Sequence, residues 1–389
     1  VTAQPSSAGA DKAGNLIARI DQQLRDLWKT PEDPGATPLS RVCTMNLEIV
    51  AESRDLLERY TPVVDEVTAS IPARAILASI EPNADQDTFQ GEATAVCSLE
   101  GDRKICSERV ILAASGRSAA RAASAIEALL VPEIPTALVW LGKIHVDDPI
   151  FEDLAGTAQR LIVDSEYTSL SSLLHLASWA RQKETERPYV ADLAWTRLAP
   201  WQELLARFFD DGTTTKLADK VTRISLAQAC NPGARVGSET ALLLGWVATR
   251  LGWKTSRLGG LLRFKRPDGG TVELELSPVP CPEGVAPQTL AALTIEAEDE
   301  GTRTVGRIRR KLASGLRDVA GVTTDADMVL WQQETSGAPP IEQHVRLGPN
   351  KAAKWLERTL HRRPHDPAFD ESVVLAEQIV EDSLTIGGR

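Results

Sequence analysis

Apolar runs are short in this sequence, and none reaches the 18 or so residues that a membrane-spanning helix requires. Cysteines are sparse as well: five in 389 residues, an odd number with no C-x-x-C pair among them. Such a set makes neither a disulfide scaffold nor a spaced zinc site, and a reducing cytoplasm is the simplest home. Positive charge is in deficit, with 43 Lys and Arg against 54 Asp and Glu and a net charge of −11. Neither nucleic acid nor an anionic membrane is the expected partner, because both attract net positive surfaces. Val1 to Ala10 lack a basic stretch followed by an apolar one, so a disordered tail is expected there rather than a secretory signal.

Catalytic motifs are missing too. No G-x-x-x-x-G-K-[ST] loop occurs, and no G-x-G-x-x-G joins a strand to a helix. Gly116-Arg117-Ser118 does follow a strand pattern and open a helix, where free amides could meet an anion, but an ordinary helix start is the simpler reading. The five histidines form no H-E-x-x-H, and Pro364 between His361 and His365 spoils a shared helical face. No G-x-S-x-G elbow marks a nucleophile. These patterns point to no catalytic residue, metal or cofactor.

What is present is an alternation of helix and strand periods. Leu16, Ile17, Ile20, Leu24, Leu27 and Trp28 put one apolar stripe on a helix over Asp11–Lys29, which the Thr30–Gly35 run ends. Strands are expected at Val42–Val50, Arg74–Ile80, Pro135–Leu141 and Arg160–Val163, with helices between them at Ser53–Ala69, Arg117–Leu130 and Phe151–Ala158. Glu92–Leu99 and Lys104–Ala113 form a hairpin that makes this sheet mixed. Beyond it, Ser169–Lys183, Ala199–Phe209 and Gly237–Leu251 read as helices, with Asp192–Arg197 a loop. Lys220–Gln228 is a strand, Pro267-Asp268-Gly269-Gly270 turns a hairpin, and Thr289–Ala297 and Thr304–Leu312 are expected to pair onto it. Asn350–Leu360 and Ser372–Asp382 close the chain as helices. The class is therefore α/β (α+β), with a tail and amphipathic helix over 1–36 and a mixed-sheet α/β domain over 37–165. A Trp-rich α+β domain over 166–345 and a helical tail over 346–389 complete it.

Three features carry candidate sites. A two-residue turn at Gly101-Asp102 sets Glu100 opposite Arg103, and counting outward brings Cys97 opposite Cys106 as a non-hydrogen-bonded pair, with Cα atoms about 4.5 Å apart. A cross-strand disulfide or oxidation-sensing thiol pair is sterically open; two small half-buried thiols are the competing reading. Nine tryptophans outnumber six phenylalanines and three tyrosines, and Trp195 and Trp201, beside Arg197, are the candidates for a partner-docking surface. Arg303, Arg307, Arg309, Arg310, Lys311 and Arg317 form a basic run that is either solvated strand faces or a patch for an acidic partner.

Several separated stretches together resemble the OpcA family. They are Arg41–Leu47, Pro72–Ala75, Ile105–Glu108, Leu129–Pro135, Leu161–Ser165, Asp192–Trp201 and Leu244–Trp253, in order across Asp11 to Leu276, about two thirds of the chain. The resemblance implies a non-catalytic protein that binds glucose-6-phosphate dehydrogenase and promotes its active oligomer in the oxidative pentose phosphate pathway. It supplies no catalytic residue to carry over and no redox cysteine pair that matches this chain. The alternatives are a carbohydrate- or small-molecule-binding module, which needs exposed coplanar tryptophans, and an enzyme whose site is built from scattered residues in a deep polar pocket.

Overall fold

The structure, a computed structural model, describes residues 7–28, 39–100, 103–182, 187–210, 215–258, 261–281, 285–310, 328–347 and 351–381. The chain divides into two units, each assembled from three stretches of sequence. Unit 1 comprises residues 1–168, 178–191 and 356–365, and unit 2 comprises 169–177, 192–355 and 366–389.

Unit 1 begins with α1 (Ser7–Asp26), then β1 (Leu39–Arg41), β2 (Met45–Ala51), α2 (Arg54–Ser70) and β3 (Ala73–Glu81). The hairpin β4 (Thr88–Glu100) and β5 (Arg103–Ser115) leads through a 3-10 turn at Gly116–Arg121 into α3 (Ala122–Leu129). β6 (Thr136–Leu141), α4 (Pro149–Thr157), β7 (Arg160–Val163), α5 (Ser165–Thr168) and β8 (Tyr189–Asp192) follow, and α6 (Leu170–Arg181) is divided, its residues 170–177 belonging to unit 2. The sheet runs β4-β5-β3-β2-β6-β7-β8, with β1 beside the start of β5. β5, β3, β2, β6 and β7 are mutually parallel, and β4 is antiparallel to β5. β2, β3, β6 and β7 are mainly apolar, as strands covered on both faces must be, and β2 and β3 are buried nearly end to end. The stripe of α1 buries Leu16, Ile20 and Leu24. The helix lies on β4, where the Gln23 side chain accepts from the Ala93 amide at 3.0 Å and Arg19 donates to the Gly91 carbonyl at 3.2 Å.

Unit 2 holds α7 (Leu193–Arg207), β9 (Val221–Ala229), α8 (Ser238–Arg250), β10 (Lys254–Leu258), β11 (Leu261–Lys265) and β12 (Thr271–Val279). It continues with β13 (Leu290–Asp299), β14 (Thr302–Arg310), β15 (Met328–Thr335) and β16 (Ile341–Arg346), then α10 (Pro367–Glu381), while α9 (Ala352–His361) is divided, its residues 356–361 belonging to unit 1. Its sheet runs β10-β11-β12-β9-β13-β14-β15-β16. All its pairings are antiparallel except β12 with β9. Alternate residues such as Ile224, Leu226, Leu293, Ile295 and Ile308 are buried, while Arg223 and Glu273 on the other face are exposed. On the buried face α7 packs on β14: Phe208 lies against Gly306, and Trp331 donates to the Leu204 carbonyl at 3.0 Å. Each such large side chain taken from water contributes roughly 1.5–3 kcal/mol. α8 packs on α10 so closely that a Cβ on Gly245 would meet the Ser372 carbonyl at 2.4 Å.

Two expectations need correction. β13 and β14 form their own hairpin, but β13 joins β9, so β9 separates them from the β11–β12 hairpin. The Asp192–Arg197 loop is the first turn and a half of α7. Asp192 is its N-cap, its carboxylate accepting from the Ala194 amide at 3.0 Å, and Pro200 sits inside the helix instead of starting it. The edge strands β10 and β16 escape pattern reading because their sequences are polar and exposed on both sides of the alternation.

Candidate functional site

The order β5-β3-β2-β6-β7, with β2 first in the chain, is that of a doubly wound sheet. Sheets of this kind bind ligands outside the carboxyl ends of the strands where the order reverses, here between β2 and β6. A dinucleotide site needs a glycine-rich turn at that point so that backbone amides can approach the pyrophosphate. The turn after β2 is instead Ala51-Glu52-Ser53-Arg54.

The chain's own side chains occupy the amides of this edge. Glu52 accepts from the Lys143 amide, in the loop after β6, at 3.1 Å. Gly142, at φ 128°, makes that approach possible, since a Cβ there would meet the Glu52 side chain at 2.8 Å. Ser53 caps α2 by accepting from Leu56, and Glu81 at the end of β3 accepts from the Arg54 amide at 3.0 Å. At the 3-10 turn after β5, Asp87 accepts from the Arg117 amide and from its Nε, each at 2.8 Å. Those hydrogen bonds from Arg117 hold the Asp87 carboxyl below the usual carboxylate range. The Arg117 amide therefore already has an anion, supplied by the chain. A phosphate at this edge would meet Glu52, Glu81 and Asp87, and these residues do not fit a dinucleotide.

Below the edge, in the middle of β2, Glu48 is fully buried. The Thr157 hydroxyl donates to it at 3.3 Å, and its second oxygen has no hydrogen bond. Burial pushes its carboxyl up to about 8, so it is largely protonated at neutral pH. Among the described residues no group of three or more His, Cys, Asp or Glu could hold a metal.

The three docking candidates are not at the surface. Trp195 is 5% exposed, Trp201 1% and Arg197 8%. Trp195 donates to the Asp366 carboxylate at 2.9 Å and leans on Phe369. Trp201 lies under the Arg310 guanidinium, 5.4 Å from its ring centroid. Arg197 donates to Glu239 at 3.0 Å, and Glu239 also accepts from the Leu290 amide. The physical reason is the helix: once Asp192 caps α7, the spacing of Trp195, Leu198, Trp201 and Leu205 gives one inward stripe. No tryptophan of the chain is exposed; each is buried or half-buried.

The cysteine pair sits where hairpin counting put it. Glu100 faces Arg103 and Cys97 faces Cys106, with Cα atoms 4.0 Å apart, and the two sulfurs are joined as a disulfide. The turn residues Gly101 and Asp102 lie outside the described residues, as do the Thr30–Gly35 run and Val1–Ser6. Of the basic run, Lys311 and Arg317 also lie outside them. Arg303, Arg307 and Arg309 share the open face of β14, while Arg310 faces the helices.

The recognisable stretches turn out to brace one another. Asn46 of the first clamps Val131 of another through both its amide atoms, at 2.9 Å each. Arg74 bonds Glu108 at 2.7 Å and the Leu129 carbonyl at 2.8 Å, and Trp28 donates to the same Glu108 at 2.7 Å. Residues 64–178 match the family profile of the N-terminal domain of a glucose-6-phosphate dehydrogenase subunit, and residues 188–373 match the profile of its C-terminal domain. The chain belongs to the OpcA family.

Relatives within the OpcA family include an OxPP cycle protein OpcA of Synechocystis sp., 27% identical over 96% of this chain and 76% of its own. Another, from Nostoc punctiforme, is 27% identical over 80% of this chain and 66% of its own. A third, from Synechococcus elongatus, is aligned over 59% of this chain and about half of its own length, 52%. Solved structures of oxidoreductases are more distantly similar. KijD10, a 3-ketoreductase from Actinomadura kijaniata, is 9% identical over 87% of this chain and 96% of its own, with a TM-score of 0.46. Levoglucosan dehydrogenase is 10% identical over 88% and 99%, with a TM-score of 0.45. At that distance neither their activities nor their sites transfer to an OpcA chain.

Proposed function

We propose that this chain is a non-catalytic partner that binds glucose-6-phosphate dehydrogenase and stabilises its active oligomer in the oxidative pentose phosphate pathway. The observation that carries the reading is the ordered match to both domains of a family of glucose-6-phosphate dehydrogenase subunits. The carboxylates that fill the amides at the sheet edge support the non-catalytic half of it. The mechanism is linkage: a partner that binds the active oligomer better than the inactive form shifts the population by that difference in affinity. A tenfold shift needs only about 1.4 kcal/mol. The purified chain is expected to have no dehydrogenase activity of its own. Added to the dehydrogenase, it is expected to change the oligomer distribution in size-exclusion chromatography and the substrate saturation curve. An unchanged curve with no comigration would overturn the reading.

The Cys97–Cys106 disulfide is the regulatory element of this proposal. In a reducing cytoplasm a disulfide is ordinarily transient or regulatory. A dithiol reductant would open it by exchange, being oxidised to its own disulfide while Cys97 and Cys106 become two thiols. The hairpin that carries the bond also carries α1, so its opening would loosen the strand on which that helix lies.

A further inference from the structure

The open face of the unit 2 sheet carries charge that alternates in sign from strand to strand, an order that cross-strand ion pairs within the chain also favour. The midline of the sheet falls between β9 and β13, with four strands on either side. Working outward, β9 presents Arg223, β12 presents Glu275 and β11 presents Arg263; on the other side β13 presents Glu296, β14 presents Arg307 and β15 presents Glu334. Each strand therefore opposes in sign the strand equally far across the midline.

Register makes the match one of residues as well as strands. Arg223 is level with Glu296. Glu275 is level with Ser225, hence with Thr294 and Arg307. Arg263 is level with Glu273 and so with Arg223, and from there through Glu296 and Val305 with Glu334.

We propose that this face pairs with the same face of a second copy of the chain, about a two-fold axis that lies in the interface along the strands between β9 and β13. Such an axis exchanges each strand with its counterpart across the midline and leaves height along the strand unchanged. It lays Arg223 over Glu296 of the second copy, Glu275 over Arg307 and Arg263 over Glu334, each contact occurring twice. Aligned sheets pack in this way, about 10 Å apart with strand directions within about 30°. An in-plane axis across the strands would instead lay β9 on β9 and β14 on β14, arginine upon arginine, so charge selects the first arrangement. The same groups already make cross-strand pairs within one chain, Arg223 with Glu273 at 2.7 Å, Glu296 with Arg303 at 2.6 Å and Arg307 with Glu334 at 2.7 Å. Pairing must therefore partly desolvate ions that have partners, and the dimer is electrostatic, modest in affinity and sensitive to salt.

The test uses the full chain in sedimentation at low salt over a range of concentrations, repeated at about 0.5 M salt, where screening acts within a few ångström. A dimer is expected at low salt and a monomer at high salt. Arg223→Glu sets like charges opposite each other twice, and is expected to weaken the dimer at least about tenfold. Adding Glu296→Arg is expected to restore it, with melting temperatures showing that the fold is kept. If Arg223→Glu proves unstable, Glu275→Arg, at an exposed strand position, takes its place. A monomer at every concentration overturns the proposal, and so does a dimer indifferent to salt and to the charge reversal. A monomeric chain whose dehydrogenase binding is lost in Arg223→Glu would assign the face to the dehydrogenase and overturn self-pairing. Dehydrogenase binding that persists in a monomeric variant leaves the proposed function standing by itself.

Discussion

In unit 1 the parallel sheet buries β2 and β3 almost end to end and turns its charged groups on itself: Arg74 pairs with Glu108 inside, and at the carboxyl edge Glu52, Glu81 and Asp87 close on backbone amides. In unit 2 the largely antiparallel sheet buries one face and lays charged residues across the other in rows of alternating sign. The difference follows from strand topology. Parallel strands joined by crossovers have both faces covered, which leaves the edge as the place for polar chemistry; hairpin-connected strands alternate and leave a face free. One sheet thus spends its polar groups on itself, and the other displays them. For a protein proposed to work through partners, unit 2 is the more instructive half.

The largest expected effect comes from breaking the interior of unit 2 while leaving its displayed face intact. Arg197→Ala strands Glu239 without its guanidinium in a buried site, and is expected to cost about 3–5 kcal/mol in urea unfolding. A loss below about 1 kcal/mol would mean that the pair is solvated, in the range of surface pairs.

Unit 1 is probed through Glu48. Its folded pKa of about 8 lies above the ordinary 4.5, so the folded state binds a proton that the unfolded chain releases earlier. The resulting stability is fully present below pH about 4.5 and is lost as pH rises through about 8, at up to about 1.4 kcal/mol per pH unit. Glu48→Gln is expected to flatten that decline in melts taken at acid, neutral and alkaline pH. A variant with the same slope as the parent would remove Glu48 as its cause.

The smallest of the three concerns the hairpin. The Cys97–Cys106 bond closes a short loop, and Cys97→Ser is expected to cost about 2.5 kcal/mol under oxidising conditions and almost nothing with a dithiol reductant present. Two free thiols by mass spectrometry after thiol blocking, under mild oxidant, would sink the redox proposal.

Much of unit 1 is legible in the sequence, because its signals are local. Apolar runs and helix periods place β2, α2, β3, β6 and α4 within a few residues of their observed ends. In unit 2 the same reasoning finds the β11–β12 hairpin through Pro267–Gly270 but misplaces β13, whose partner β9 lies far away in sequence. Trp195 and Trp201 mislead for a related reason. Their environment depends on whether Pro200 begins a helix or is tolerated inside one, and that is settled by burial against distant elements such as α10 and β14, not by the proline.

The sequence by itself determined the register that brings Cys97 to Cys106, since a two-residue turn and a period of two leave one solution. It also carried the family, through stretches that prove to hold one another in place, such as Arg74 with Glu108. Only the tertiary structure decided that the carboxylates of Glu52, Glu81 and Asp87 meet at one sheet edge, and that Arg223 stands level with Glu296 at the midline of the other sheet. Turns and alternation are fixed by neighbours a few residues apart. Which charge faces which is fixed by strand order, and strand order depends on packing between segments that the chain keeps far apart.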